Sequence, residues 1–273
     1  MLLSRCLYYL SSFRTLVRAT KNWPTVLAMF LGLPMRTPVV VELRNGCRFR
    51  VRTCRDIWTI NETCVDRDYE RNSVDIEDGW TVLDIGAFLG DFAICVARKH
   101  RQSMIYAYEP FPESFELLQM NVALNRVPNV QAFQAAITTR SGFVDLHIAS
   151  GDPVQHSTAA AAADPTGEAI RVPSTTLDEV FRELGLSRCD FLKTDCEGEE
   201  YNILFHASKE TLRRVRHLCV EYHDGVTSFS HLDLVRFLED AGFHVATHPS
   251  RAHSETGFLH ASNAEASVQG LEA

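Results

Sequence analysis

The sequence predicts an α/β domain: a mostly parallel sheet with helices on both faces. Three observations carry this. From residue 80 onward, strand-like and helix-like segments alternate over about 170 residues. A glycine loop, DIGAFLG at 84–90, follows the first of those strands and opens the first helix. The second strand ends in an acid, YAYEP at 106–110.

Residues 2–33 read as one or two helices, interrupted near Trp23-Pro24, and Pro34 and Pro38 stop the helical pattern. VVVELRNGCRFRVR at 39–52 reads as a β-hairpin, because Asn45-Gly46 supplies the positive φ angles of a tight turn between β-prone runs. Residues 55–78 read as a polar helix. The alternation proper follows, with a strand at 81–85 and a helix at 90–100 that turns Phe92, Cys95 and Val96 inward. A strand at 104–108 leads to a helix at 112–125, with Phe115, Leu118 and Val122 along one face. Strands are expected at 130–137 and 142–149. Residues 150–169, rich in Ala, Gly, Pro and Ser, read as a mobile loop. Strands at 170–173, 190–195, 217–222 and 243–247 then alternate with helices at 176–184, 198–206 and 232–241. Residues 250–273 are small and polar and read as a disordered tail, with 257–261 a candidate edge strand. The expected organisation is a basic helical extension (1–38), a hairpin and helix (39–78), the core domain (79–249) and the tail (250–273).

The net charge of −8 argues against a nucleic-acid binder that works by bulk electrostatics. Residues 1–36 carry Arg5, Arg14, Arg18, Lys21 and Arg36 and no acid. The favoured reading is an extension packed on the domain; peripheral contact with an anionic inner-membrane surface is the alternative. The longest early apolar run, 26–33, is far short of the roughly 18 residues a membrane span needs. MLLSRCLYYL lacks an apolar core followed by a cleavage site, so no signal peptide is expected. None of the eight cysteines forms a CxxC pair or a zinc-spaced cluster. They read as free thiols in a reducing compartment, hence the cytoplasm.

Ligands of such sheets bind at the carboxyl ends of the strands, and four constellations fall there. In the loop at 84–90, Gly86 and Gly90 let the backbone approach a ligand, but the spacing is not the GxGxxG of a pyrophosphate loop. Asp84 suits a cationic or hydroxyl-bearing ligand instead. Glu109, followed by Pro110, lies 25 residues after Asp84, where an acid accepts ribose hydroxyls. In DFLKTDCEG at 190–198, strand period two puts Lys193, Asp195 and Glu197 on one side. His223, ending VEYH, is a candidate general base.

Together VLDIGAFLG, YAYEPFPESFELLQMNVALN, STTLDEV, DFLKTDCEGEEYNIL and VEYH resemble the FkbM family of S-adenosylmethionine-dependent methyltransferases. The resemblance spans residues 40–245. It implies the class I, Rossmann-like methyltransferase fold: a three-layer sandwich with a seven-stranded sheet whose last strand runs antiparallel. It implies S-adenosylmethionine as cofactor and O-methylation of sugars, polyketide-type products, or cell-surface glycans and lipids. Asp84, Gly86, Ala87 and Gly90 match the cofactor loop, Glu109 with Pro110 the ribose acid, and Asp195, Glu197 and Gly198 the D-x-E-G motif. Thr194 and Cys196 stand where the family usually has aliphatic residues, and Phe88 and Asp91 also depart from its commoner choices. The mechanism expected is in-line methyl transfer with Asp195 or His223 as base and Lys193 orienting the acceptor or Asp195. The 150–169 loop, with His156 and Ser157, would close over a small-molecule or glycan acceptor. Two carboxylates, Asp195 and Glu197, are too few to argue for a metal. A nucleotide-dependent oxidoreductase and a non-catalytic binding module are the competing classes.

Overall fold

The structure, a computed structural model, describes residues 2–148, 156–157, 169–250 and 255–263. The expectation of a mobile 150–169 loop and of a disordered tail falls largely outside these residues. No helix among them is long and apolar enough to cross a membrane.

Helices α1 (Leu2–Ala19) and α2 (Trp23–Phe30) part where expected, with Pro24 in the first turn of α2, where a missing N–H breaks no helical bond. Leu16 and Val26 are fully buried in the same core as the domain's helices, so the extension packs on the domain. Strands β1 (Val39–Glu42) and β2 (Arg48–Val51) pair antiparallel, as the Asn45-Gly46 turn predicts. Helix α3 (Cys54–Ile60) starts at a capping box made by Thr53 and Asp56. It runs into a π-helical turn, Asn61–Asp66, which Arg67 ends with a left-handed φ of 56°. The polar helix expected over 55–78 is therefore corrected: it stops at Asp66, and Asp56, Ile57, Ile60, Asn61 and Tyr69 are buried.

The core domain continues through β3 (Thr81–Ile85), α4 (Asp91–Lys99), β4 (Met104–Tyr108), α5 (Pro112–Asn125), β5 (Val130–Phe133), β6 (Ala136–Ile137), β7 (Gly142–Ile148), β8 (His156–Ser157) and β9 (Ala169–Thr175). Then come α6 (Leu177–Glu183), β10 (Cys189–Thr194), α7 (Glu200–His206), α8 (Lys209–Arg213), β11 (Val215–His223), α9 (His231–Asp240), β12 (Phe243–Pro249) and β13 (Thr256–Asn263). Seven strands form the main sheet in the order β12-β13-β11-β10-β3-β4-β5. β5, β4, β3, β10 and β11 are parallel, and β13 runs antiparallel to both its neighbours. Two expectations change. The last strand is not an edge: β13 inserts between β11 and β12, burying Leu259 and Ala261, and leaves β12 outermost. The single strand expected at 130–137 breaks at 134–135, and β6 joins a separate four-stranded sheet, β6-β9-β7-β8. An apolar run shows no period change at such a break.

Strand alternation sorts the core onto two faces. Val82, Phe191 and Cys219 face α4, α5, the hairpin and the N-terminal helices. Leu83, Leu192 and Leu218 face the side filled by Phe181, Tyr201, Leu212 and Leu234 from α6 to α9. On the first face Cys64 of the π-helical turn is joined to Cys95 of α4 in a disulfide. The expectation of eight free thiols is corrected for this pair, and the cysteine count no longer argues for a reducing compartment. The two residues lie 31 apart in sequence and meet only because the turn packs on α4.

Candidate active site

The carboxyl ends of β3, β4 and β10 open on one cleft, the place where sheets of this kind bind ligands. Gly86 and Phe88 come from the loop after β3, Glu109 and Pro110 from the end of β4, and Asp195 and Glu197 from the end of β10. Ala136, Ile137 and Leu146 of the smaller sheet add apolar wall.

The loop at 84–90 is tightly wound. Gly86, Phe88 and Gly90 have φ of 77°, 46° and 87°, all left-handed. The amides of Gly86 and Ala87 donate to the Tyr108 carbonyl at 3.0 and 2.9 Å. A Cβ on Gly86 would overlap the carbonyl oxygen of Asp195, so glycine there lets the ends of β3 and β10 touch. Glu109 braces the loop. Its Oε2 accepts from the Phe88 amide at 2.8 Å and its Oε1 from the Phe111 amide at 2.9 Å. Burial pushes its carboxyl up to about 7 despite those two amides. Ala87 is buried in the core, and Gly90 begins α4 against Leu118 and Ile94, so both shape the loop without lining the cleft.

Asp84 does not line the cleft either. It is fully buried, and its Oδ1 accepts from Lys193 Nζ at 2.9 Å. Lys193 pairs with Asp84 in the β10–β3 register and also donates to the Gly86 carbonyl at 2.8 Å. Burial works against the Lys193 charge, but Asp84, Asp195 and Asp91 outweigh it and push its pKa up. The expectation that Asp84 meets a cationic ligand is thus corrected: Lys193 already matches its charge, and the pair props the loop from beneath.

Lys193 and Asp195 share a face, as strand period predicts, with Nζ 3.9 Å from Asp195 Oδ2. Glu197 does not join them. The strand ends at Thr194, and Glu197, at φ 50°, turns toward His223, where its Oε2 lies 3.6 Å from Nε2. The other ring nitrogen, Nδ1, is 3.0 Å from Oε1 of buried Glu200. Burial opposes a charge on His223, yet Glu200 and Glu197 hold its pKa well above the usual value. His223 thus ties β11 to the 197–200 turn through Glu197 and Glu200 and does not line the cleft. Burial also pushes Glu197 up to about 7.

The residue that sequence reasoning missed is Tyr69. Its hydroxyl lies 2.7 Å from Asp195 Oδ2 and 2.8 Å from Glu221 Oε2. Its ring carries Lys193 Nζ at 4.9 Å and meets Phe92 and Phe258 edge-on. The available signal was a lone aromatic in the charged run DRDYERN at 66–72.

Charge decides what the cleft accepts. Among the described residues, Glu109, Asp195, Glu197 and Glu199 line it, and no Lys or Arg does. That wall repels phosphate and suits a cation such as the sulfonium of S-adenosylmethionine. Glu109, braced on one side of each oxygen, retains acceptor capacity for two hydroxyls. The residues present therefore fit S-adenosylmethionine.

Comparison with known proteins agrees. A family model, the methyltransferase FkbM domain, matches residues 84–245. Methyltransferase sdnD of Sordaria araneosa is 29% identical over 237 residues, spanning 77% of this chain and 90% of that protein. 31-O-demethyl-FK506 methyltransferase FkbM of Streptomyces tacrolimicus is 27% identical over 193 residues, spanning 60% of this chain and 73% of that protein. Among solved structures, methyltransferase FkbM from Methylobacillus flagellatus superimposes with a TM-score of 0.49 at 12% identity, covering 76% of this chain and 54% of that one.

Proposed function

The chain belongs to the methyltransferase FkbM family and is an S-adenosylmethionine-dependent methyltransferase; on that premise we propose that it methylates a hydroxyl of a sugar, a glycan or glycolipid, or a secondary metabolite. The observation that carries this reading is the acidic cleft, lined by no Lys or Arg among the described residues, with Asp195 on its wall. When bound, S-adenosylmethionine supplies an electrophilic methyl group. Gly86, Phe88, Glu109 and Pro110 are the residues to hold its nucleoside end, with the Glu109 carboxylate accepting the ribose hydroxyls. Glu197 adds negative charge opposite the cation.

Asp195 serves as the base that takes the proton of the acceptor hydroxyl, and Lys193 orients it. The acidic wall favours oxygen over nitrogen as acceptor: an amine would be drawn in as its unreactive ammonium form. The Streptomyces relative, named for an O-demethyl substrate, supports the same choice.

The test uses S-adenosylmethionine labelled in the methyl group, incubated with the pure protein and fractionated cell metabolites and glycolipids. The expected product is heavier by one methyl group, including the mass of the label, and carries the label as a methyl ether. Label on nitrogen, or no transfer with S-adenosylhomocysteine unbound, would remove this reading. The N-terminal segment adds a peripheral contact to it. Exposed Arg14, Arg18 and Lys21 and exposed Trp23, Leu31, Leu33 and Met35 fall in one stretch of sequence without acids, a composition suited to anionic lipid. Sedimentation with anionic but not neutral vesicles is the expected behaviour.

A further inference from the structure

The Tyr69 hydroxyl stands within hydrogen-bond distance of two carboxylates, at 2.7 Å from Asp195 and 2.8 Å from Glu221. A phenol has one proton to give. Two bonds among three oxygens need two protons, so one carboxyl of the pair is protonated.

The surroundings decide which one. Strand alternation brings Asp84 on β3, Lys193 on β10 and Cys219 on β11 side by side. Two residues further along each chain, Asp195 and Glu221 meet under Tyr69. Asp195 is a quarter exposed to the cleft and has Lys193 Nζ at 3.9 Å. Glu221, on β11, is partly exposed as well. Burial, Asp195 and Glu62 of the π-helical turn oppose its ionisation, while His223, two residues along its own strand, and the Tyr69 hydroxyl favour it. Asp84 and, from α4, Asp91 are the other acids on this face, and Lys193 pairs with Asp84. The rings of Phe92 and Phe258 flank Tyr69 at 5.7 and 5.4 Å and fix its hydroxyl between the two acids.

We infer that Tyr69 and Glu221 are positioning residues for Asp195: Glu221 keeps a proton and donates it to Tyr69 Oη, and Tyr69 donates its own to Asp195 Oδ2. This rests on the reading of Asp195 as base. With Oδ2 occupied, Oδ1 is the oxygen that receives the acceptor's proton. The acceptor O–H bond would break as the Asp195 Oδ1–H bond forms, and the electron pair left on the acceptor oxygen would form the new bond to the methyl carbon while the methyl–sulfur bond breaks, its pair staying on sulfur as S-adenosylhomocysteine leaves. The Tyr69 bond persists through this step, because the carbonyl oxygen of a carboxylic acid still accepts. With Glu221 neutral, Asp195 is the anion of the pair and lines the cleft.

The experiment needs no acceptor. Side-chain carboxyl carbons of Asp and Glu are labelled with carbon-13, and the ligand-free protein is titrated from pH 5 to 9 by NMR. One Glu carboxyl is expected to stay protonated at pH 8 and to vanish in Glu221→Gln. In that variant the amide still donates to Tyr69, so the Asp195 carboxyl resonance stays near its wild-type position. In Tyr69→Phe, Asp195 loses its hydrogen-bond donor and its carboxyl resonance at pH 8 moves. A purely structural role for Tyr69 would leave that resonance in place. The proposal is overturned if no Glu carboxyl is protonated at pH 8, if the protonated one survives Glu221→Gln, or if Tyr69→Phe leaves Asp195 unshifted. S-adenosylhomocysteine binding, measured on the same samples, reports separately on the methyltransferase reading: its loss in the wild type would sink that reading while the titration still decides the proton arrangement.

Discussion

Replacing Glu109 by glutamine isolates the contribution of one carboxylate to nucleoside binding. Both carboxylate oxygens are engaged, Oε2 by the Phe88 amide at 2.8 Å and Oε1 by the Phe111 amide at 2.9 Å. Glutamine has one oxygen, so its NH2 group must face one of these N–H groups, donor to donor. A hydrogen bond to a charged group contributes about 1.5–3 kcal/mol, and the buried N–H left unpaired adds to the cost. Phe88, at φ 46°, is the residue most exposed to this loss, because its left-handed backbone is held through that amide. If about 1.5–3 kcal/mol is lost from the bound state, the dissociation constant rises roughly tenfold to a hundredfold at about 1.4 kcal/mol per decade. The assay is calorimetric titration with S-adenosylhomocysteine at pH 8, above the Glu109 midpoint of about 7, so that the wild-type group is ionised. Affinity within twofold of wild type in a folded Glu109→Gln protein would refute the assignment of Glu109 to the nucleoside.

Three further outcomes follow from the same geometry. Glu109 and Glu197 both sit at about 7, raised by burial. Their contribution to stability is present in full below the unfolded carboxylate value and is lost as pH rises through 7, where ionisation instead prepares the cleft for a cation. The affinity ratio of S-adenosylmethionine to the uncharged S-adenosylhomocysteine should therefore increase between pH 6 and 8, and a flat ratio by calorimetry would contradict the electrostatic account. Lys193→Met leaves Asp84 buried without its partner, a loss of about 3–5 kcal/mol. Thermal unfolding should fall by roughly 10 °C, and Asp84→Asn added to it should recover part of the loss. Gly86→Ala places a Cβ against the Asp195 carbonyl at a φ of 77°. It should abolish S-adenosylhomocysteine binding while far-UV circular dichroism remains native, and retained binding would show that the ends of β3 and β10 need not touch.

Much of this site was legible from local pattern. Gly86 and Glu109 were identifiable because a glycine loop after one strand and an acid ending the next are features of short segments, each set by backbone sterics within a few residues. The same holds for β4 and α5, whose bounds match those read from the sequence. Tyr69 was not identifiable, since its role depends on groups 126 and 152 residues away. His223 illustrates a different gap. Its strand-end position was readable, but its charge is set by burial and by Glu200 and Glu197, which the turn after β10 brings to it.

The amino-acid sequence by itself determined the alternating strands and helices, the glycine loop and its partner acid, and from their combination the family. The tertiary structure alone decided which acids line the cleft and which are paired beneath it. It set β10 between β3 and β11, so that Lys193 neutralises Asp84 while Asp195 meets Tyr69 and Glu221. The physical reason is that periodicity specifies which face a side chain takes along its own strand, whereas strand order and register across the sheet specify which charges become neighbours.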